Sequence, residues 1–148
     1  MEADAQKPSN DRPHASATTF RACESGLREV LAHVEALAQG LDLPRELRLR
    51  LCLVVEELFV NTARYGGRED AEACVELAAD AAGVELRYAD TALPFNPLEG
   101  LVVDTLSQPV ELRPVGGLGR ILVRELSSSA RYARDGGRNI VCLRFERA

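Results

Sequence analysis

The stretch Leu51-Cys52-Leu53-Val54-Val55-Glu56-Glu57-Leu58-Phe59-Val60-Asn61 is the strongest indication of how this chain folds. It is apolar on nearly every side of a helix except at two glutamates and the closing asparagine. The helical pattern begins near Pro44, which suits a first helical turn, and ends before Gly66-Gly67. A helix this apolar is expected at the centre of a fold.

Glu57 and Asn61 lie four residues apart, so they share one helix face and are separated by one turn. Leu53 stands on that face one turn earlier, which indicates more than a simple solvent-facing side. A carboxylate and a carboxamide on a core helix cost free energy unless something satisfies them. The alternative is that Glu56, Glu57 and Asn61 form the exposed stripe of an amphipathic helix, and the pattern alone favours this alternative.

Upstream of this helix the chain predicts a second helix, a short strand and a tail. Apolar residues recur at helical spacing from Leu27 to Leu41, with Gly40 as a natural end. Residues 17–22 predict a short edge strand. Residues 1–16 are polar and contain prolines, so we expect a disordered tail followed by one domain over residues 17–148.

Downstream, the pattern changes to the alternation typical of strands. Strands are expected around Val75–Leu77 and Val84–Tyr88, and Asp90 has the parity that points toward the core. A long loop over residues 91–115, a third helix opening at Gly116-Gly117-Leu118-Gly119 and a final hairpin over residues 129–134 and 139–145 complete the chain. The prediction is an α+β fold, a two-layer sandwich in which about three helices cover one face of a mostly antiparallel mixed sheet.

Composition excludes several classes of function. The chain has 148 residues and a net charge of −5, which argues against a nucleic-acid surface. Two histidines are too few and too far apart for a histidine metal site. Four scattered cysteines without a C-x-x-C pair indicate reduced thiols in a cytoplasmic protein. No apolar stretch is long enough to span a membrane, so no membrane partner is expected.

Two further places offer chemistry. Asp90 at the core-facing end of a strand is suited to accept a hydrogen bond from a ligand amino group, or else simply caps the following turn. The glycines at 116, 117 and 119 open a helix whose free N–H groups suit an anion, or else form a flexible loop. Each signal is weak alone. Together with Glu57 and Asn61 they suit a purine nucleotide and its metal ion, since Mg²⁺ takes few protein ligands besides phosphate oxygens.

At these residues the sequence resembles the GHKL superfamily of gyrase, heat-shock chaperone, histidine-kinase and mismatch-repair ATPases. Residues 57–61 resemble its N-box, residues 90–97 its first glycine box and residues 116–119 its second. The resemblance covers residues 17–146 and implies a Bergerat-type ATP-binding fold. The Pro-Phe-Asn-Pro of residues 94–97 and the small size resemble the anti-sigma-factor serine/threonine kinases.

This resemblance implies a role for each matching residue. Glu57 would be the general base and Asn61 the Mg²⁺ ligand, Asp90 would bind the adenine amino group, and Gly117 and Gly119 would accommodate the phosphates of ATP. The partners implied are a sigma factor and an anti-anti-sigma protein of the STAS type, whose serine or threonine is the nucleophile. A homodimer is implied by the resemblance alone.

Two positions depart from the family pattern. Ala92 stands where the family usually has glycine, and its methyl group would crowd the adenine. Tyr65 stands where many relatives have histidine, close to the expected phosphates. The alternative function is therefore a non-catalytic regulator that sequesters its partner and has a bound or vestigial nucleotide site. A detached histidine-kinase domain with His33 as the acceptor is a third reading, disfavoured because His33 lies on an ordinary amphipathic helix.

Overall fold

A computed structural model describes residues 18–99 and 123–147, which contain two long helices and five strands. The helices are α1 (Glu24–Gly40) and α2 (Arg45–Tyr65). The strands are β1 (Phe20–Arg21), β2 (Glu72–Ala79), β3 (Gly83–Asp90), β4 (Ser129–Asp135) and β5 (Arg138–Glu146). Residues 123–126 are also helical.

The five strands form one sheet in the order β1-β2-β3-β5-β4, and every pair of neighbours is antiparallel. β5 therefore lies between β3 and β4, although β4 precedes it in the chain. This insertion places Asn139 of β5 directly opposite Asp90 of β3. The turn between β4 and β5 is made by Gly136 and Gly137, whose φ angles of 58° and 75° suit the two-residue turn of a tight hairpin.

The core lies between the helices and one face of the sheet. Alternate residues of β3 and β5 point toward the helices and are almost completely buried, as the side chains of Leu86, Tyr88, Leu143 and Phe145 illustrate. α1 contributes Val30 and Val34, and the helical residues 123–126 contribute Val123. The predicted α+β fold with helices on one face of an antiparallel sheet is confirmed.

The surroundings of α2 correct one prediction. The side chain of Leu53 is 52% exposed and that of Leu49 is 53% exposed, so Leu53 does not mark a covered face. The opposite side of α2 is buried against the sheet through Val55 and Phe59. The apolar character of the helix is thus divided between a core face and an exposed pair of leucines.

The cysteines match the expectation of unpaired thiols, since all four are free. Burial raises the pKa of Cys52, Cys74 and Cys142, which makes these thiols less reactive. In the described part of the chain no helix combines the length and apolarity needed to cross a bilayer. The predicted tail over residues 1–16, most of the predicted loop and the opening of the predicted third helix lie outside the described residues.

Candidate functional site

A cleft lies where the carboxyl-terminal half of α2 meets the end of β3 and the start of β5. Its volume is about 330 Å³, counting the part open to solvent. The lining combines apolar walls with a few polar side chains: Leu58, Asn61, Thr62, Gly66, Tyr88, Asp90, Ala92, Phe95, Pro97, Asn139 and Val141. A mostly apolar lining with a few polar side chains is typical of ligand sites.

Asn61, near the carboxyl-terminal end of α2, lines this cleft. The side chain is only 5% exposed, and its Nδ2 is buried with no hydrogen-bond partner among the described residues. The oxygen and nitrogen of an amide are assigned from their neighbours, so the observation is that one end of this amide has no partner among the described residues. A buried polar atom without a partner costs about 1–3 kcal/mol, which a ligand would offset.

Burial of Asn61 rules out the alternative that Glu56, Glu57 and Asn61 form one exposed stripe. Glu56 is exposed and Glu57 half-buried, and neither is among the described residues that line the cleft. Glu57 still lies one helical turn from Asn61. The two predicted residues are thus neighbours on α2, but only Asn61 faces into the cleft.

Asp90 closes the opposite wall of the cleft and is 7% exposed, as its parity in β3 predicted. Its Oδ1 accepts hydrogen bonds from the Ala92 N–H at 3.1 Å and from Asn139 Nδ2 at 2.9 Å. Its Oδ2 accepts from the Thr62 hydroxyl at 2.8 Å. Asp90 therefore caps the following turn through Oδ1, as the alternative predicted, and it also lines the cleft.

The Thr62 hydroxyl is oriented by its neighbours on α2 and β3. Thr62 Oγ1 lies 2.6 Å from the Tyr88 hydroxyl and 3.0 Å from the Leu58 carbonyl oxygen. Burial raises the pKa of Tyr88 well above its ordinary value, so this phenol remains a donor at any ordinary pH. With the Tyr88 proton directed at Thr62 or Leu58, the single Thr62 proton is left for the carboxylate, the strongest acceptor within reach.

The turn that follows Asp90 is held by hydrogen bonds on several sides. Asn139 Nδ2 donates to the Leu93 carbonyl oxygen at 2.9 Å, and the Phe95 N–H donates to Asn139 Oδ1 at 3.0 Å. Arg134 Nη1 donates to the Ala92 carbonyl oxygen at 2.8 Å, and the Leu93 N–H donates to the Gly66 carbonyl oxygen at 2.9 Å. The backbone beside Asp90 is therefore preorganised without a ligand.

Ala92, the first departure from the family pattern, is 2% exposed and packs beside Gly66. A methyl group added at Gly66 would meet the Ala92 methyl carbon at 2.9 Å, which is too close for two carbon atoms. The Thr62 carbonyl oxygen would lie closer still to that added methyl group, so the backbone as well as the Ala92 side chain requires glycine at residue 66. Tyr65, the second departure, is 45% exposed and does not line the cleft.

The structure thus brings together Asn61, Asp90 and Ala92 of the predicted site residues. Gly117 and Gly119 lie outside the described residues. Sequence reasoning missed Thr62 and Asn139. A signal for Thr62 existed, because it directly follows the predicted Asn61, whereas the pairing of Asn139 with Asp90 depends on the strand order.

The residues present fit a magnesium ion that is bound mainly through phosphate oxygens. Within residues 18–99 and 123–147 no group of three or more histidine, cysteine or acidic side chains could hold a metal by itself. An asparagine amide with one unpartnered end can supply a single oxygen ligand. The described residues by themselves therefore supply too few ligands to hold a metal ion, and the Asn61 amide suits one that arrives with a nucleotide.

Comparison with known proteins finds similar solved chains and one matching family model. The crystal structure of the SiaB–SiaC complex from Pseudomonas aeruginosa contains a similar chain, with a TM-score of 0.56 and 14% identity, covering 88% of this chain and 89% of that one. The histidine kinase domain of a blue-light-activated histidine kinase from Erythrobacter litoralis EL346 matches with a TM-score of 0.49 and 18% identity, over 83% of this chain and 60% of that one. A search of curated proteins returned no match. The family model of the histidine kinase-like ATPase domain matches residues 20–145, and the chain belongs to that family.

Proposed function

We propose that this protein is an Mg-ATP-dependent serine/threonine-protein kinase that acts as an anti-sigma factor. Membership of the ATPase family implies that the chain binds ATP. The observation that carries the proposal is the shared cleft of Asn61 and Asp90. The first has a buried amide end without a partner in the described part of the chain, and the second is a buried carboxylate.

In this proposal Asp90 accepts a hydrogen bond from the exocyclic amino group of adenine, and Asn61 supplies an oxygen to Mg²⁺. The ion, when bound with ATP, neutralises negative charge on the phosphates. Gly117 and Gly119 are proposed to accommodate those phosphates. The adenine would then lie near the end of β3 and the start of β5.

Glu57 is proposed as the general base. The hydroxyl oxygen of a serine or threonine on the partner forms a bond to the γ-phosphorus, and the bond from that phosphorus to the bridging oxygen breaks. ADP leaves with the electron pair of that bond, and the hydroxyl proton passes to the Glu57 carboxylate. Catalysis of this kind depends on positioning and charge neutralisation more than on covalent work by the protein.

The partners follow from the same proposal. The protein would hold a sigma factor and exchange it for an anti-anti-sigma protein of the STAS type. Phosphorylation adds a charge of about −1.5 to −2 to that protein, which repels it from an acidic kinase. The similar solved chain belongs to a two-protein complex, which is compatible with a protein partner here.

The test is incubation with γ-labelled ATP, Mg²⁺ and the cognate STAS protein. We expect label on a serine or threonine of the partner, stable to acid, and loss of transfer in Glu57→Ala with ATP binding retained. Glu56→Ala is the matched control, because that neighbouring side chain is exposed and is not among the residues that line the cleft. Absence of label with wild-type protein would refute kinase activity, and transfer by Glu57→Ala at the wild-type rate would refute the role of Glu57.

The second candidate is a regulator that sequesters its partner without phosphotransfer. The position of Glu57 outside the lining of the cleft favours this candidate. It predicts nucleotide-dependent or nucleotide-independent partner binding with no label transferred. Pull-down of the partner in the same reactions separates the two candidates, since the kinase releases its phosphorylated product.

A further inference from the structure

The carboxylate of Asp90 has an unequal distribution of hydrogen bonds. An ionised carboxylate offers four acceptor positions, two on each oxygen. Both positions on Oδ1 are occupied, by the Ala92 N–H and by Asn139 Nδ2. Oδ2 accepts only from the Thr62 hydroxyl among the described residues. One acceptor position therefore remains for a ligand, and it is on Oδ2.

Asn139 is responsible for this asymmetry, and its own side chain is locked. It is 3% exposed and makes four hydrogen bonds, two as a donor and two as an acceptor. The Tyr132 hydroxyl donates to Asn139 Oδ1 at 2.6 Å, which fixes the amide so that its nitrogen faces Asp90. The amide is therefore assigned by two donors on its oxygen side rather than by Asp90 alone.

A single acceptor distinguishes the two purines. Adenine presents one exocyclic amino group as a donor, next to a ring nitrogen that only accepts. Guanine presents two adjacent donors, N1–H and the 2-amino group, which match the two oxygens of a carboxylate in a bidentate pair. That pair requires one vacant position on each oxygen, and Oδ1 has none.

We propose that Asn139 is a specificity-determining residue that selects adenine over guanine by saturating Oδ1 of Asp90. This inference rests on the proposed function, in which Asp90 faces the base. Asn139 does not need to touch the nucleotide. It acts by removing the second acceptor that guanine requires, and it lines the cleft where a freed position would open.

The experiment is titration calorimetry of the full chain with ADP, GDP and inosine diphosphate, which is guanosine diphosphate without the 2-amino group. For wild type we expect at least a tenfold preference for ADP over GDP. We also expect inosine diphosphate to bind more tightly than GDP, because the 2-amino group of guanine is buried without an acceptor. Asn139→Ala is expected to reduce the ADP preference about tenfold and to make GDP bind better than inosine diphosphate.

Two control variants separate selectivity from general damage. Tyr132→Phe removes a hydrogen bond to Asn139 but leaves the amide beside Asp90, so the wild-type preference should persist. Thr62→Val vacates a position on Oδ2 and none on Oδ1, so GDP should gain nothing over inosine diphosphate. If both control variants changed the nucleotide preference as much as Asn139→Ala does, the proposal would be overturned.

The outcomes also separate this inference from the proposed function. Selective ADP binding by wild type with unchanged selectivity in folded Asn139→Ala would overturn the inference alone. Absence of binding of any of the three nucleotides to wild type would overturn both. If Asn139→Ala does not fold, the ratio of the GDP and inosine diphosphate affinities of wild type still tests the inference. GDP binding tenfold tighter than inosine diphosphate would show that a second acceptor is available and would overturn it.

Discussion

Two aspartates stand at opposite ends of β3 and accept similar hydrogen bonds in different surroundings. Asp80 precedes the strand, accepts from the Ala82 and Gly83 N–H groups, and pairs with Arg144 through both oxygens at 2.9 Å. Asp90 ends the strand and, among the described residues, accepts only from neutral groups. The side chain of Asp80 is 57% exposed, whereas Asp90 is 7% exposed.

The difference identifies which aspartate is structural and which is suited to a ligand. Asp80 has a cation, solvent and a turn to cap, so its surroundings fully account for it. Asp90 is a buried carboxyl group with no salt bridge among the described residues, and an acceptor position is left over. A buried carboxyl group without a cation is costly for stability alone, and such groups concentrate at binding sites.

The largest effect is expected from Asp90→Ala. The change leaves the Ala92 N–H, the Asn139 amide and the Thr62 hydroxyl without their acceptor in a buried site. The free energy of unfolding should fall by about 2–5 kcal/mol. Urea denaturation followed by circular dichroism measures this loss, and a change under 1 kcal/mol would mean that the network is not formed.

Asn61→Leu is expected to change the free energy of unfolding in the opposite direction. Leucine has nearly the shape of asparagine and removes the buried amide end that lacks a partner within residues 18–99 and 123–147. The free energy of unfolding should stay constant or rise by up to about 1 kcal/mol, while Mg²⁺-dependent ATP binding is lost. Urea denaturation measures the free energy of unfolding, and calorimetry on the same preparation measures ATP binding. A large loss of stability would show that the amide has a structural partner.

Much of this architecture is predictable from local pattern, because a single face of each element is buried. The alternation in β3 places Asp90 on the core side, and the helical spacing places α1 and α2 with their ends nearly right. Pattern does not reveal which side of an apolar helix is covered, and for this reason Leu53 was assigned wrongly.

Asn139 could not be found in the same way. It lies 49 residues from Asp90, and the two meet only because β5 inserts between β3 and β4. Nothing in the local sequence specifies that insertion. The buried end of the Asn61 amide is likewise a property of packing, since the same residue on the exposed side of α2 would be solvated.

The smallest effect is expected at Asp80. Hydrogen bonds from Arg144 lower the pKa of Asp80, so its ionised form contributes stability above the unfolded pKa of about 3.9. That contribution is lost as the pH falls through the still lower folded pKa. Asp80→Asn should therefore differ slightly from wild type at pH 7, and the difference should disappear in acid. Denaturation at pH 7 and near pH 2 measures it, and a difference that grew in acid would contradict this account.

The central claim is that the Asp90 end of β3 binds the base of ATP. Titration of wild type, Asp90→Asn and Asp80→Asn with Mg-ATP tests it most directly, since the two variants make the same substitution at opposite ends of one strand. The account predicts saturable, Mg²⁺-dependent binding by wild type and Asp80→Asn, and affinity reduced at least tenfold in Asp90→Asn. Equal affinity of all three proteins, or no binding by wild type at millimolar ATP, would contradict it.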